Sequence, residues 1–156
     1  MPNSSLLSTD NKGHVYAVFT LESEGFENSS IGFNSSADFG ATWGKEATTI
    51  MDRGAHVVSR VTMAADQNGK IYVVMGKEGK SSLYRHMYMN ASEDYGRTWA
   101  CGSEGCQVDS VDSSAELNAS FGLISCNQNG HSAMIWFDGR PPNGYHLYYT
   151  TVDFTK

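Results

Sequence analysis

Ser36-Ala37-Asp38-Phe39-Gly40-Ala41-Thr42-Trp43 and Ser92-Glu93-Asp94-Tyr95-Gly96-Arg97-Thr98-Trp99 share the pattern SxDxGxTW, and their reading decides the fold. Their aspartates stand 94 − 38 = 56 residues apart. In a tight turn of this composition the Asp carboxylate accepts backbone N–H groups across a hairpin, and Gly40 or Gly96 supplies the left-handed residue. Trp43 and Trp99 are then expected to lie largely buried between neighbouring sheets. A frayed third copy, TVDFTK from Thr151, puts Asp153 in the same column at 153 − 94 = 59. Each copy follows a strand-like stretch, SSIGFNSS, SLYRHMYMNAS or YHLYYTT, rich in aromatic, β-branched or Met residues.

A second marker repeats on its own. STDNKGHVYAVF from Ser8, AADQNGKIYVVM from Ala64 and SCNQNGHSAMIW from Ser125 align without a gap. Asp10, Asp66 and Asn127 fill one column and Gly13, Gly69 and Gly130 another, with spacings of 66 − 10 = 56 and 127 − 66 = 61. Two markers with one period indicate a supersecondary unit repeated as an array. Each unit reads as strand, DxxG turn, strand, loop, strand, Asp turn, strand. The expected fold is all-β, with about eleven strands in three antiparallel sheets. One domain holds three units, approximately 1–57, 58–117 and 118–156, the third lacking its outer strand. Because Asp38 and Asp94 occupy equivalent places in separate repeats, they read as turn residues and not as a catalytic pair.

Composition agrees: among 156 residues, 40% are hydrophobic and only 18% charged, with 16 Gly, 8 Tyr and 7 Phe, which favours strands and tight turns. A net charge of −6 without clustered Lys and Arg excludes a nucleic-acid or anionic-membrane partner. The longest apolar runs, 15–19 and 71–75, are far too short to span a bilayer, so the sequence reads as a soluble chain. The start, MPNSSLLSTD, has neither a basic segment nor an apolar stretch of signal-peptide length, which fits a cytoplasmic chain or one whose leader has been removed. The compartment stays open.

Cys101 and Cys106 bracket GSEG and could close a small ring under oxidising conditions; without a second ligand pair a zinc site is not expected. His56, His86, His131 and His146 are scattered, and Asp109, Asp112 and Glu116 read as solvated loop charge, so no metal or cofactor is expected. Sequons at Asn3, Asn28, Asn34, Asn90 and Asn118 are the chance yield of a chain rich in Asn and Ser.

SxDxGxTW resembles the Asp box of the sialidase-like propellers, or BNR repeats, and the resemblance spans nearly the whole chain. It implies structural roles for Ser36, Asp38, Gly40, Thr42, Trp43, Ser92, Asp94, Gly96, Thr98, Trp99 and Asp153, in turns on the face away from the usual active site. The functional face would then comprise the loops 22–28, 77–81 and 138–144 and the crossovers 45–59 and 100–118. For a sialidase, the resemblance implies an RIP-like segment, three arginines for a substrate carboxylate, an Asp acid/base and a Tyr nucleophile assisted by Glu. Arg60-Val61-Thr62 lies where RIP would begin but lacks the Pro. Asp138-Gly139-Arg140-Pro141 resembles a loop after the second strand of such blades, yet lies in a different repeat. Arg53, Arg85 and Arg97 complete no triad.

Arg60, Asp138 and Arg140 are therefore the candidate ligand contacts, and no residue is assigned a catalytic role. The expected function is a non-catalytic propeller module binding a glycan or protein at the channel face. The alternatives are a sialidase-type hydrolase assembled from two chains, with Arg60 on a carboxylate and Asp138 as acid/base, or a piece of a longer propeller protein. Closed propellers have at least four blades, so the expected partner is a second copy, a homodimer of 2 × 3 = 6 blades.

Overall fold

The computed structural model describes residues 5–21, 29–54, 60–78, 85–109, 119–140 and 144–152. Among these, every regular element is a strand. The first sheet has β1 (Ser5–Thr9), β2 (Val15–Leu21), β3 (Ser29–Ser36) and β4 (Thr48–Gly54) side by side in chain order. The second repeats this with β5 (Thr62–Ala65), β6 (Ile71–Glu78), β7 (Arg85–Ser92) and β8 (Cys106–Gln107), and the third has β9 (Ser120–Cys126), β10 (Ser132–Arg140) and β11 (Gly144–Val152). Pairing is antiparallel throughout. The chain is thus all-β, in three antiparallel sheets, with three strands described in the third. Two stretches expected as crossovers carry outer strands instead: β4 lies within 45–59 and β8 within 100–118. After each SxDxG turn the chain first pairs back onto β3 or β7.

Short-range hydrogen bonds explain the period. Asp10 Oδ1 accepts the N–H of Lys12 and His14 at 2.8 and 3.0 Å, Asp66 Oδ1 those of Asn68 and Lys70 at 2.8 Å each, and Asn127 Oδ1 those of Asn129 and His131 at 2.9 and 3.1 Å. Gly13, Gly69 and Gly130 close these turns at φ of 104°, 84° and 80°. The two SxDxG turns also match bond for bond. Asp38 and Asp94 accept Thr42 and Thr98 through both N–H and hydroxyl, at 2.6–2.8 Å, while Ser36 and Ser92 Oγ accept the N–H of Gly40 and Gly96 at 2.9 and 2.8 Å. One feature goes beyond expectation: Phe39 and Tyr95 share the left-handed region with the glycines after them, at φ 58° and 63°.

The sheets stack front to back. Tyr16, Val18, Ile31 and Phe33 on the front of the first sheet meet Ile71, Val73 and Met75 on the back of the second. On its own front the second sheet presents Tyr72, Val74, Met87 and Met89 to Met134 and Trp136 on the back of the third. Residues 71–77 of β6 are consequently buried on both sides, and at about 1.5–3 kcal/mol per large apolar side chain these two junctions dominate the stability. Polar bonds tie the same seams: Asn90 Nδ2 donates to Ile50 O at 2.7 Å, Thr62 Oγ1 to Gly122 O at 3.1 Å and Tyr72 OH to Gly130 O at 2.9 Å.

The expectation that both indoles are largely buried is corrected. Trp99 is half-buried against the first sheet, its ring edge-on to Phe33, whereas Trp43 is 41% exposed. The position of Trp43 would face a sheet preceding the first, and no such sheet stands there among the described residues. In the third sheet Val152 pairs with Ser132, the place that Ser36 and Ser92 hold opposite Val15 and Ile71; Thr151, aligned to the serine column by sequence, is one step early. Asp153 lies outside the described residues.

Cys101 and Cys106 form a disulfide, which settles the alternative left open by their spacing, and Cys126 is free. The loop this bond closes reaches the first sheet: Asp52 N–H donates to Ser103 O at 2.7 Å, and Lys77 Nζ donates to Glu104 O and, at 3.3 Å, to Asp52 O. Asn90, at the centre of this seam, is fully buried, so its sequon is closed to glycosylation in the folded chain.

Candidate functional site

Both kinds of turn gather at one end of the sheets. The N–H of Phe39 donates to Gly13 O at 2.8 Å and that of Tyr95 to Gly69 O at 3.0 Å, joining each SxDxG turn to the DxxG turn of its own sheet. The opposite end therefore carries the loops between second and third strands and the sheet-to-sheet crossovers. Of that end, 22–28, 55–59, 79–84, 110–118 and 141–143 lie outside the described residues.

Arg60 stands exposed just before β5 at this loop end, so its guanidinium is available to solvent. Asp138 is near the same end of the neighbouring third sheet, but it belongs to β10 and not to a loop, and it is fully buried. Its side chain shares the back face of that sheet with Met134 and Trp136, toward the second sheet, because strand alternation carries every second residue of β10 inward. Arg140 ends β10 opposite Gly144, and its side chain lies outside the described residues. Arg60 and Asp138 thus share one end of adjacent sheets, one open and one closed.

Two arrangements bring together residues far apart in the sequence. The first pairs His86 Nδ1 with Asp109 Oδ2 at 3.2 Å, with Gln107 beside them. Asp109 is 4% exposed, so its reading as solvated loop charge is corrected: Val108 N–H bonds Met87 O at 2.9 Å and draws the chain inward after β8. Burial pushes the Asp109 carboxyl above its ordinary pKa, against the opposing pull of His86. The second is a cavity of about 90 Å³ at the turn end, where Asp10, Asp66 and Asn127 meet with Asn11, Gln67 and Gln128. One alignment column thereby becomes one spot in space. Cys126 also lines it, and burial, with the Asp66 charge adding to it, pushes the thiol up to about 11, which leaves it protonated and unreactive at neutral pH.

The exposed turn carboxylates behave differently. The Thr42 hydroxyl, the Thr42 N–H and the Ser36 hydroxyl hold Asp38 down at about 2, and Thr98 in the same way lowers Asp94. Such acids stay ionised and donate no proton to a substrate at neutral pH.

Comparison with solved structures gives the fold a context. The chain aligns over 96% of its length with a Hadza microbial sialidase, Hz136, at 17% identity and a TM-score of 0.60, covering 35% of that chain. It aligns over 97% with a polysaccharide lyase of family PL25, an ulvan lyase, at 12% identity and a TM-score of 0.59, covering 41% of that chain. A NanB structure matches over 96% of this chain and 21% of its own, at 20% identity and a TM-score of 0.50. The chain has a sialidase-like propeller fold. It spans well under half the length of these structures, and identities this low establish the fold alone. No family model matches the sequence, and no curated protein sequence does.

Proposed function

We propose that the chain is a non-catalytic carbohydrate-binding module whose ligand face is the loop end carrying Arg60. The observation that supports the lack of catalysis is the burial of Asp138: a carboxyl closed off between two sheets cannot come within hydrogen-bond reach of a glycosidic oxygen. Arg60, by contrast, offers a fork of donors matched to a carboxylate. The neighbours named for a sialidase and for a lyase bound to a GlcA-containing fragment support an acidic glycan as the ligand. Calorimetric titration with sialyl- and glucuronyl-oligosaccharides tests this. Binding should weaken about tenfold or more in Arg60→Ala, a loss of about 1.4 kcal/mol or more, and an absence of binding by the unmodified chain would refute the reading. Turnover of a fluorogenic sialoside that disappears in Arg60→Ala would instead establish the sialidase-type alternative.

A further inference from the structure

Ser120 pairs with Phe137 and Leu123 with Ile135, so Phe121 and Gly122 together stand opposite Trp136. The extra residue makes a bulge in β9, and Phe121 takes it in the left-handed region at φ 55°. Glycine is the usual occupant of such a place, because a Cβ there crowds the following carbonyl. A glycine stands one position further on, but packing holds it: a Cβ on Gly122 would collide with Met87 and Val74, both buried in the second sheet. The strain therefore falls on a bulky aromatic residue. Its ring is left 62% exposed, so burial does not offset the cost. Strain retained in this way gathers at ligand sites.

The place is the one that Arg60 holds in the preceding sheet. Asp66 and Asn127 share a column at 127 − 66 = 61, and 121 − 60 = 61 brings Phe121 into register with Arg60. β1, β5 and β9 are edge strands that lie side by side, and each runs into a DxxG turn at the turn end, so Arg60 and Phe121 stand at the loop-end starts of adjoining strands. Thr62 Oγ1 donates to Gly122 O at 3.1 Å and ties the two starts together. Arg60 is exposed although the third sheet packs on the front of its own sheet, so exposure at this place belongs to the shared edge and not to an uncovered sheet face.

We propose that Phe121 is a stacking platform for a pyranose ring, beside the guanidinium of Arg60 in one glycan site. This rests on the loop end being the glycan face, and it adds an uncharged element to that face. A pyranose presents axial C–H groups on one side, and their partial positive charge suits the negative face of an aromatic ring. Ligand sites combine such aromatic surface with a few directed polar groups. Phe121 has no polar side-chain atom, so it holds a sugar ring with or without a carboxylate, while Arg60 holds the carboxylate.

Calorimetric titration with a glucuronyl-oligosaccharide and its carboxyl-reduced, neutral counterpart separates the two contacts. Phe121→Gly should weaken binding of both at least about tenfold, whereas Arg60→Ala should weaken that of the acidic one alone. Phe121→Tyr, which keeps the ring, should bind as the unmodified chain does. Urea unfolding gives the readout that a packing role would move the other way. Phe121→Gly relieves the left-handed strain, so its midpoint should equal or exceed that of the unmodified chain. A lower midpoint would overturn the platform. So would unchanged binding of both oligosaccharides by Phe121→Gly, an outcome that leaves Arg60 as the contact. Loss in Phe121→Gly with none in Arg60→Ala would keep the platform and overturn the carboxylate reading. No binding of either oligosaccharide by the unmodified chain would overturn both.

Discussion

The indole of Trp99 meets the ring of Phe33 edge-on, 5.2 Å between centroids and 72° between planes, across the seam of the first and second sheets. The edge-to-face geometry adds to the apolar area removed from water. Trp43 makes the same hydrogen bond within its turn, Nε1 to Gly40 O at 3.1 Å as Trp99 does to Gly96 O, but meets no ring among the described residues. Trp99→Ala should therefore destabilise the chain by about 2–3 kcal/mol, at and below the lower end of the range of about 3–5 kcal/mol for buried aromatics, because Trp99 is only half-buried. Trp43→Ala should cost under about 1 kcal/mol. Urea unfolding of the pair reads the difference, and equal losses would show that the seam contact contributes little.

Gly96 lies against that same Phe33. A Cβ built there would stand 2.1 Å from Phe33 Cε1, at φ +85°, and Phe33 cannot retreat because it is itself buried under Trp99. Gly96→Ala should combine left-handed strain with overpacking and destabilise by about 3 kcal/mol. Gly102, at φ +56° with open space around it, provides the control: Gly102→Ala should show only the backbone strain, about 1 kcal/mol. Urea midpoints should separate the two, and a Gly96→Ala loss no larger than the control would show that Phe33 yields.

The turn at Gly96 was legible in the sequence because its determinants are local: Ser92, Asp94, Gly96 and Thr98 bond one another over two to four residues, and the DxxG turns do likewise. The strand count followed from those turns. What a side chain faces across a seam was not legible. Nothing near Trp43 or Trp99 in sequence tells which has a sheet beside it, and Asp138 in its DGRP setting looks like an open loop although β10 carries it through to Arg140. The His86–Asp109 pair spans 23 residues and two strands, with no spacing to betray it.

Acid should act on the chain through Asp38 and Asp94. Both carboxyls titrate lower in the folded chain than the ordinary 3.8, Asp38 at about 2. Because the folded pKa lies below the unfolded one, their stabilising contribution is complete above about pH 4 and is lost as pH falls through about 2. A carbon-detected NMR titration should find Asp38 near 2, moving up toward 3.8 in Thr42→Val, which removes the largest cause of the shift. An Asp38 carboxyl that titrates near 3.8 in the unmodified chain would contradict the hydrogen bonding described for the turn.

The disulfide makes the last prediction, since its loop belongs to the second sheet but bonds the first. Closing the six residues from Cys101 to Cys106 limits the unfolded chain enough to stabilise the fold by about 2 kcal/mol. Cys101→Ser with Cys106→Ser should lose that amount in urea unfolding. Chain entropy alone would lower protection everywhere alike, whereas the loop carbonyls of Ser103 and Glu104 hold Asp52 N–H and Lys77 Nζ locally. In the double variant, hydrogen exchange at the Asp52 amide should therefore accelerate by more than at Val73, which is fully buried in the middle of β6. Equal acceleration at both amides would mean that the loop acts only through the unfolded state, and that the seam between the first two sheets rests on its apolar core without this strap.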